Sequence, residues 1–130
     1  MQGKDMSEPD ATTPVYAGVD VCKDWLDVHL HPSGARLRMA NDRFGLRRLK
    51  RLLAPLPVAR VVMEATGKHH RAARRVLHAA GLAVAVVPPL RARLFAEATG
   101  QLAKTDAIDA RLLALLGAAL QPEPTPPPPA

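Results

Sequence analysis

Between Val15 and Leu30 the apolar residues fall on every second position twice over, a pattern that only a pair of adjoining strands can use. Val15, Ala17, Val19 and Val21 alternate with Tyr16, Gly18 and Asp20. After a short polar turn, Leu26, Val28 and Leu30 alternate with Trp25, Asp27 and His29. Pro32, Ser33 and Gly34 make the next turn, and Ala35 to Met39 forms a short third strand with its arginines outward, so three consecutive antiparallel strands are predicted.

The period then changes. Asn41 or Asp42 can cap a helix that turns Phe44, Leu46, Leu49, Leu52 and Leu53 inward and Arg43, Arg47, Arg48, Lys50 and Arg51 outward, and Pro55 and Pro57 stop it. Arg60 to Met63 reads as a buried strand, Lys68 to Ala80 as a helix closed by Gly81, and Leu82 to Val87 as a further strand, a unit whose strands run parallel. A basic helix follows from Leu90 to Ala98, and a last one begins near Thr105 with Thr105 as its cap. The prediction is an α/β fold with a mixed five-stranded sheet and flanking helices.

With 48% hydrophobic residues in 130, the chain supports one core and not two. The folded domain is expected over residues 15–120, between a disordered tail at 1–14 and a proline-rich, disordered, extended tail at 121–130. No apolar run suggests a signal peptide or a membrane span, and the single cysteine, Cys22, excludes an internal disulfide. The expectation is a cytoplasmic protein with no membrane partner. Eighteen Lys and Arg against twelve Asp and Glu give a formal charge of +6, which favours a polyanionic partner. Four aromatic residues are too few to suggest binding by stacked aromatic platforms, so Arg71, Arg74, Arg75, Arg91 and Arg93 are candidates for phosphate contacts.

Four acids stand out. Asp20 sits in the body of a strand, where aspartate is depleted because it competes with the backbone and resists burial. Glu64 ends a strand, at the edge where α/β sheets place their sites. Asp106 and Asp109 share one side of a helix start, where acids also complement the helix dipole. On a wheel counted from Thr105, Asp109 falls within the arc of Ile108, Leu112, Leu113 and Leu116, so it is expected to turn toward the core. Like charges about 4 Å apart repel by about 4 kcal/mol near a protein surface, so gathered carboxylates need protons, a basic partner or metal ions. Oxygen donors alone suit Mg²⁺ or Mn²⁺, and a pair of such ions serves phosphodiester cleavage.

Gly18-Val19-Asp20-Val21-Cys22-Lys23, Met63-Glu64-Ala65-Thr66-Gly67 and Lys104-Thr105-Asp106-Ala107-Ile108-Asp109-Ala110 together resemble the DEDD transposases of bacterial insertion sequences. That resemblance implies an amino-terminal RuvC-like, RNase H-like domain in which Asp20, Glu64, Asp106 and Asp109 are catalytic and bind divalent metal. Lys104 matches a motif position and is taken as a nucleic-acid contact. Also implied are DNA partners at element ends and targets, a guide RNA, and a homo-oligomer of the full-length enzyme. The family pattern adds a carboxyl-terminal domain with a nucleophilic serine, whereas Ser7 and Ser33 are the only serines here and lie outside the motifs. The expectation is a truncated transposase domain that binds metal but does not complete transposition by itself.

Two other readings compete. A non-catalytic RNA- or DNA-binding module would use the same arginines without the acids. An actin-like kinase or ATPase half also opens on a Gly-Val-Asp strand, but Asp20-Val21-Cys22-Lys23-Asp24 lacks the Gly and Thr or Ser that wrap phosphate.

Overall fold

A computed structural model describes residues 13–126 except Thr66 and 102–107. The strands are β1 (Val15–Val21), β2 (Trp25–His31), β3 (Arg36–Ala40), β4 (Val58–Glu64) and β5 (Val84–Val87). The helices are α1 (Arg43–Leu53), α2 (Arg71–Ala79), α3 (Pro89–Ala98) and α4 (Ala110–Leu120). The strands form one sheet in the order β3-β2-β1-β4-β5. β2 is antiparallel to β1 and β3, while β4 is parallel to both β1 and β5. The mixed five-stranded sheet is therefore as the alternation predicted, with β1 at its centre.

Strand alternation sends the side chains of β1 to two different environments. Ala17 and Val19 join Leu26, Val28, Val61 and Met63 in a core closed by Leu46, Leu49 and Leu53 of α1 and by Ala73 and Leu77 of α2. Tyr16, Gly18 and Asp20 face the other way. On that face Val62 and Val87 pack beneath Ala92 of α3 and Leu113 and Leu116 of α4. Helices thus cover both faces, and the smaller core lies on the side of Asp20.

Several local expectations shift. Asp42 caps α1, its Oδ1 accepting from the Gly45 N–H at 2.8 Å, but Phe44 points outward and is 64% exposed. Phe44 lies on the helix arc of the arginines, opposite Leu46, Leu49 and Leu53, so burying those three leaves it in water. The last helix starts at Ala110, not near Thr105, and Asp109 is its N-cap, exposed and accepting from the Leu112 N–H at 2.9 Å. The expected inward turn of Asp109 is thereby overturned. A wheel counted from Thr105 assigns a phase to a residue that precedes the helix, and an extended aspartate there satisfies an orphan N–H instead.

The proline-rich segment is also not free over its described part. Thr125 lies beside β5, its N–H donating to the Val84 carbonyl at 2.8 Å and its Oγ1 accepting from the Val86 N–H at 2.8 Å. Arg60 Nε donates to the Pro122 carbonyl at 2.8 Å and Arg74 Nη2 to the Pro126 carbonyl at 2.7 Å. Prolines cannot donate, so arginines approach their carbonyls, while Thr125 supplies the one strand-like contact that covers an open sheet edge.

Candidate functional site

The site grows from Gly18. A Cβ there would stand 2.0 Å from the Ala110 carbonyl oxygen and 2.5 Å from the Ala114 nitrogen, so only glycine lets the first turn of α4 rest directly on β1. Asp20 is two residues further along the same face. Docking of α4 brings its N-cap, Asp109, to the edge of the cleft that Asp20 lines. Asp27 sits opposite Asp20 in the β1–β2 register and shares its face. Glu64 follows Val62 on the same side of β4, and Val62 lies under Gly117 of α4.

The cleft encloses about 560 Å³ and is lined by Asp20, Asp27 and Asp109 together with His29, Arg36, Arg38 and Arg111. Burial raises the Asp20 carboxyl above its usual value, and the charges of Asp27 and Asp109 raise it further. Burial also raises Glu64, and the charge of Asp20 adds to this, while Arg93 of α3 works in the opposite direction. Glu64 Oε2 is buried without a hydrogen-bond partner among the described residues. A carboxylate oxygen in that state costs free energy unless a proton or a cation joins it. Burial lowers the affinity of His29 for a proton, and Arg111 and Arg36 lower it further.

Asp20, Glu64 and Asp109 are thus brought to one face of the sheet and feel one another's charge in sequence, Asp109 on Asp20 and Asp20 on Glu64. They do not form a closed ligand set: among the described residues no three His, Cys, Asp or Glu side chains gather closely enough to hold an ion. Asp106 and Lys104 lie outside the described residues. The arginines expected to contact phosphate divide between the two faces. Arg91 and Arg93 belong to α3 on the acid face, whereas Arg71, Arg74 and Arg75 belong to α2 on the opposite one.

Four participants escaped the sequence reading. Asp27 is gripped by Arg38, whose Nε and Nη2 donate to its two oxygens at 2.7 and 3.1 Å. Arg38 also lies 5.5 Å from the ring centroid of the half-exposed Trp25. The alternation already placed Trp25, Asp27 and His29 on one face, and the short hairpin set Asp27 opposite Asp20. The signal was available in the register, but strand alternation gives outward acids no special weight. Arg111 had no such signal, because the phase of α4 depends on where that helix begins.

The model of the DEDD transposase family of the IS110 type matches residues 17–130. The chain belongs to this transposase family. No curated protein sequence matches it significantly. Among solved structures, the transposase domain is similar to Thermus thermophilus RuvC, with a TM-score of 0.59 and 16% identity over 80% of this chain and 93% of that one. A second structure, T. thermophilus RuvC in complex with a Holliday junction substrate, gives a TM-score of 0.58 and 14% identity over 82% of this chain and 93% of that one. These likenesses show that the transposase domain has the RuvC-like, RNase H-like fold.

Proposed function

We propose that this domain supplies the acidic half of a divalent-metal-dependent site that cuts and joins DNA strands in transposition, with Asp20, Glu64, Asp106 and Asp109 in the catalytic and metal-binding roles. The observation that carries the reading is Glu64: a carboxylate with one buried oxygen that has no partner among the described residues, raised by its own burial and by the charge of Asp20. A buried carboxylate oxygen normally has a hydrogen-bond donor or a cation against it, and a divalent ion would satisfy this one. Oxygen donors fit Mg²⁺ or Mn²⁺. Bound there, such ions would polarise a phosphodiester and stabilise the oxygens that exchange on phosphorus.

The chain's own residues do the rest. Gly18 seats α4 so that Asp109 stands at the cleft, and the Asp27–Arg38 pair lines its β2–β3 wall. Arg93 of α3 favours the charged form of Glu64. Arg36, Arg38 and Arg111 attract phosphate to the same cleft. Ser33 is in the turn after β2, at the end of the sheet away from Asp20, so it does not serve the acid cleft as a nucleophile. The family resemblance then assigns the nucleophilic serine to a separate domain, and with it the RNA-directed choice of DNA and the assembly into a homo-oligomer. By the same reading the protein works on DNA in the cytoplasm. No helix among the described residues is long and apolar enough to cross a membrane.

The non-catalytic alternative is favoured by the absence of a closed acid cluster among the described residues. Thermal denaturation with increasing Mn²⁺ separates the two. A metal site gives a melting temperature that climbs with Mn²⁺ and climbs less in Asp20→Asn and Asp109→Ala. Identical curves for wild type and both variants leave the non-catalytic reading standing.

A further inference from the structure

The outer face of α1 is built for something that the acid cleft does not use. Arg43, Phe44, Arg47, Arg48, Lys50 and Arg51 are all exposed and share one arc of the helix, opposite the buried Leu46, Leu49 and Leu53. The helix contains no acid. Its neighbour Asp42 is occupied as the N-cap. Among the described residues, Arg47, Arg48, Lys50 and Arg51 have no ion-pair partner. On a surface helix such a run is normally relieved by glutamates at i+3 or i+4, and here it is not.

Phe44 stands in the middle of this arc, with Arg47 and Arg48 one turn further on and Arg51 two turns on. It is 64% exposed, although the Arg43 guanidinium lies 5.0 Å from its ring centroid. An aromatic ring left in water among cations gains from a flat, weakly polar partner attached to an anion. Beside it, a groove of about 440 Å³ runs between α1 and α2, lined by Arg43, Arg47 and Lys50 on one wall and by Ala72 and Val76 on the other. Both α1 and α2 pack on the face of the sheet opposite Asp20 and Glu64.

We propose that α1 is a docking surface for a single-stranded segment of nucleic acid, one unpaired base stacking on Phe44 while the adjoining phosphates meet Arg47, Arg48 and Arg51. Arg47 and Arg51 are separated by a rise of about 6 Å, the axial length of about two nucleotides of one strand. Duplex bases are already stacked on each other and offer Phe44 nothing, whereas loops, bulges and displaced strands offer a free base face. A lipid surface fits less well, because Phe44 is the only large apolar residue on the arc and membrane-lying helices bury a whole apolar face. The proposal rests on the reading of the chain as a nucleic-acid enzyme, but on separate residues, so either can fail alone.

The test uses the full chain, a labelled single-stranded oligonucleotide and the blunt duplex of the same sequence, followed by fluorescence anisotropy at several salt concentrations. The single strand is expected to bind more tightly than the duplex. Phe44→Ala lowers single-strand affinity roughly tenfold and leaves duplex affinity unchanged. Replacing Arg47, Arg48 and Arg51 together by alanine reduces the slope of log affinity against log salt by about 2. Unchanged duplex affinity in Phe44→Ala separates this surface from the acid cleft. Phe44→Trp in a Trp25→Phe background retains affinity, and its fluorescence is quenched by the strand. Phe44, Arg47, Arg48 and Arg51 all face solvent, so unchanged melting temperatures of these variants verify the fold. Equal losses on strand and duplex in Phe44→Ala, no loss at all, or tighter binding to phosphatidylserine vesicles than to the oligonucleotide would overturn the proposal.

Discussion

The two faces of the sheet solve different problems with the same strands. On the α1–α2 side, every inward position of β1, β2 and β4 is apolar and fourteen buried residues close into one core. On the α3–α4 side the cluster among the described residues is smaller, and the same face carries Glu64 and, lining a cleft, Asp20, Asp27 and His29. The first face carries the stability of the domain. The second gives up apolar contact, and sits above its lowest free energy, for a cluster of acids that repel one another. That division is what allows a chain of this size to hold half-buried carboxylates and still fold.

Breaking the first face should cost most. Leu49, fully buried where α1 meets the sheet, is expected to cost about 2–5 kcal/mol as Leu49→Ala, read by urea denaturation. Gly18→Ala comes next. Its Cβ would press on backbone atoms of Ala110 and Ala114, which cannot rotate away, so α4 must lift from β1 at a cost of about 1–3 kcal/mol. The two variants differ in kind: Leu49→Ala should loosen the whole domain, whereas Gly18→Ala should separate Asp109 from Asp20 and weaken metal binding even where the protein remains folded.

The acids should act in the opposite sense. Asp20 and Glu64 are harder to ionise in the folded protein than their ordinary values of 3.8 and 4.5, so the unfolded chain loses these protons first as pH rises. Stability of the metal-free protein is therefore lost from about those values upward until the folded groups have ionised as well. Asp20→Asn and Glu64→Gln should each raise the melting temperature at neutral pH by a few degrees. His70 provides the contrast on the other side of the molecule. Buried, with no partner for Nδ1 among the described residues, it is pushed below its ordinary value of 6.5 mainly by burial and further by Arg74 and Arg71. Here the unfolded chain takes up the proton first, so stability is lost as pH falls below 6.5. Melting curves of Asp20→Asn/Glu64→Gln from pH 4 to pH 8 should keep the low-pH loss and lack the loss toward neutral pH.

The smallest effect belongs to the sheet edge. Thr125→Val removes the oxygen that accepts from the Val86 N–H and should cost about 1 kcal/mol, with faster hydrogen exchange at Val86.

The strands were legible because alternation and β1–β2 proximity are encoded in adjacent residues. The same holds for α1 and α2, whose leucines and alanines repeat at helical spacing between Asp42 and Gly81. Acids at Asp20 and Glu64 were legible because a carboxylate in or ending a strand violates the pattern around it. The start of α4 was not, since Thr105 and Asp109 are both good caps and nothing local chooses between them. Choosing Thr105 turned Asp109 inward, when its real contribution is an exposed cap at the mouth of the cleft. Phe44 failed for a related reason: an aromatic beside leucines was counted with them, although its helical phase lies with the arginines. The docking of Thr125 is a contact over some forty residues, invisible in a window of composition that read only proline.

Asymmetry between the faces is the claim on which the rest depends, and paramagnetic broadening by Mn²⁺ in backbone amide NMR spectra tests it most directly. Substoichiometric Mn²⁺ should erase the amide signals nearest Asp20, Glu64 and Asp109 first, leave those of α1 and Leu77 sharp, and lose this selectivity in Asp20→Asn. Uniform broadening, or broadening that starts at the α1–α2 face and persists in Asp20→Asn, would contradict the account.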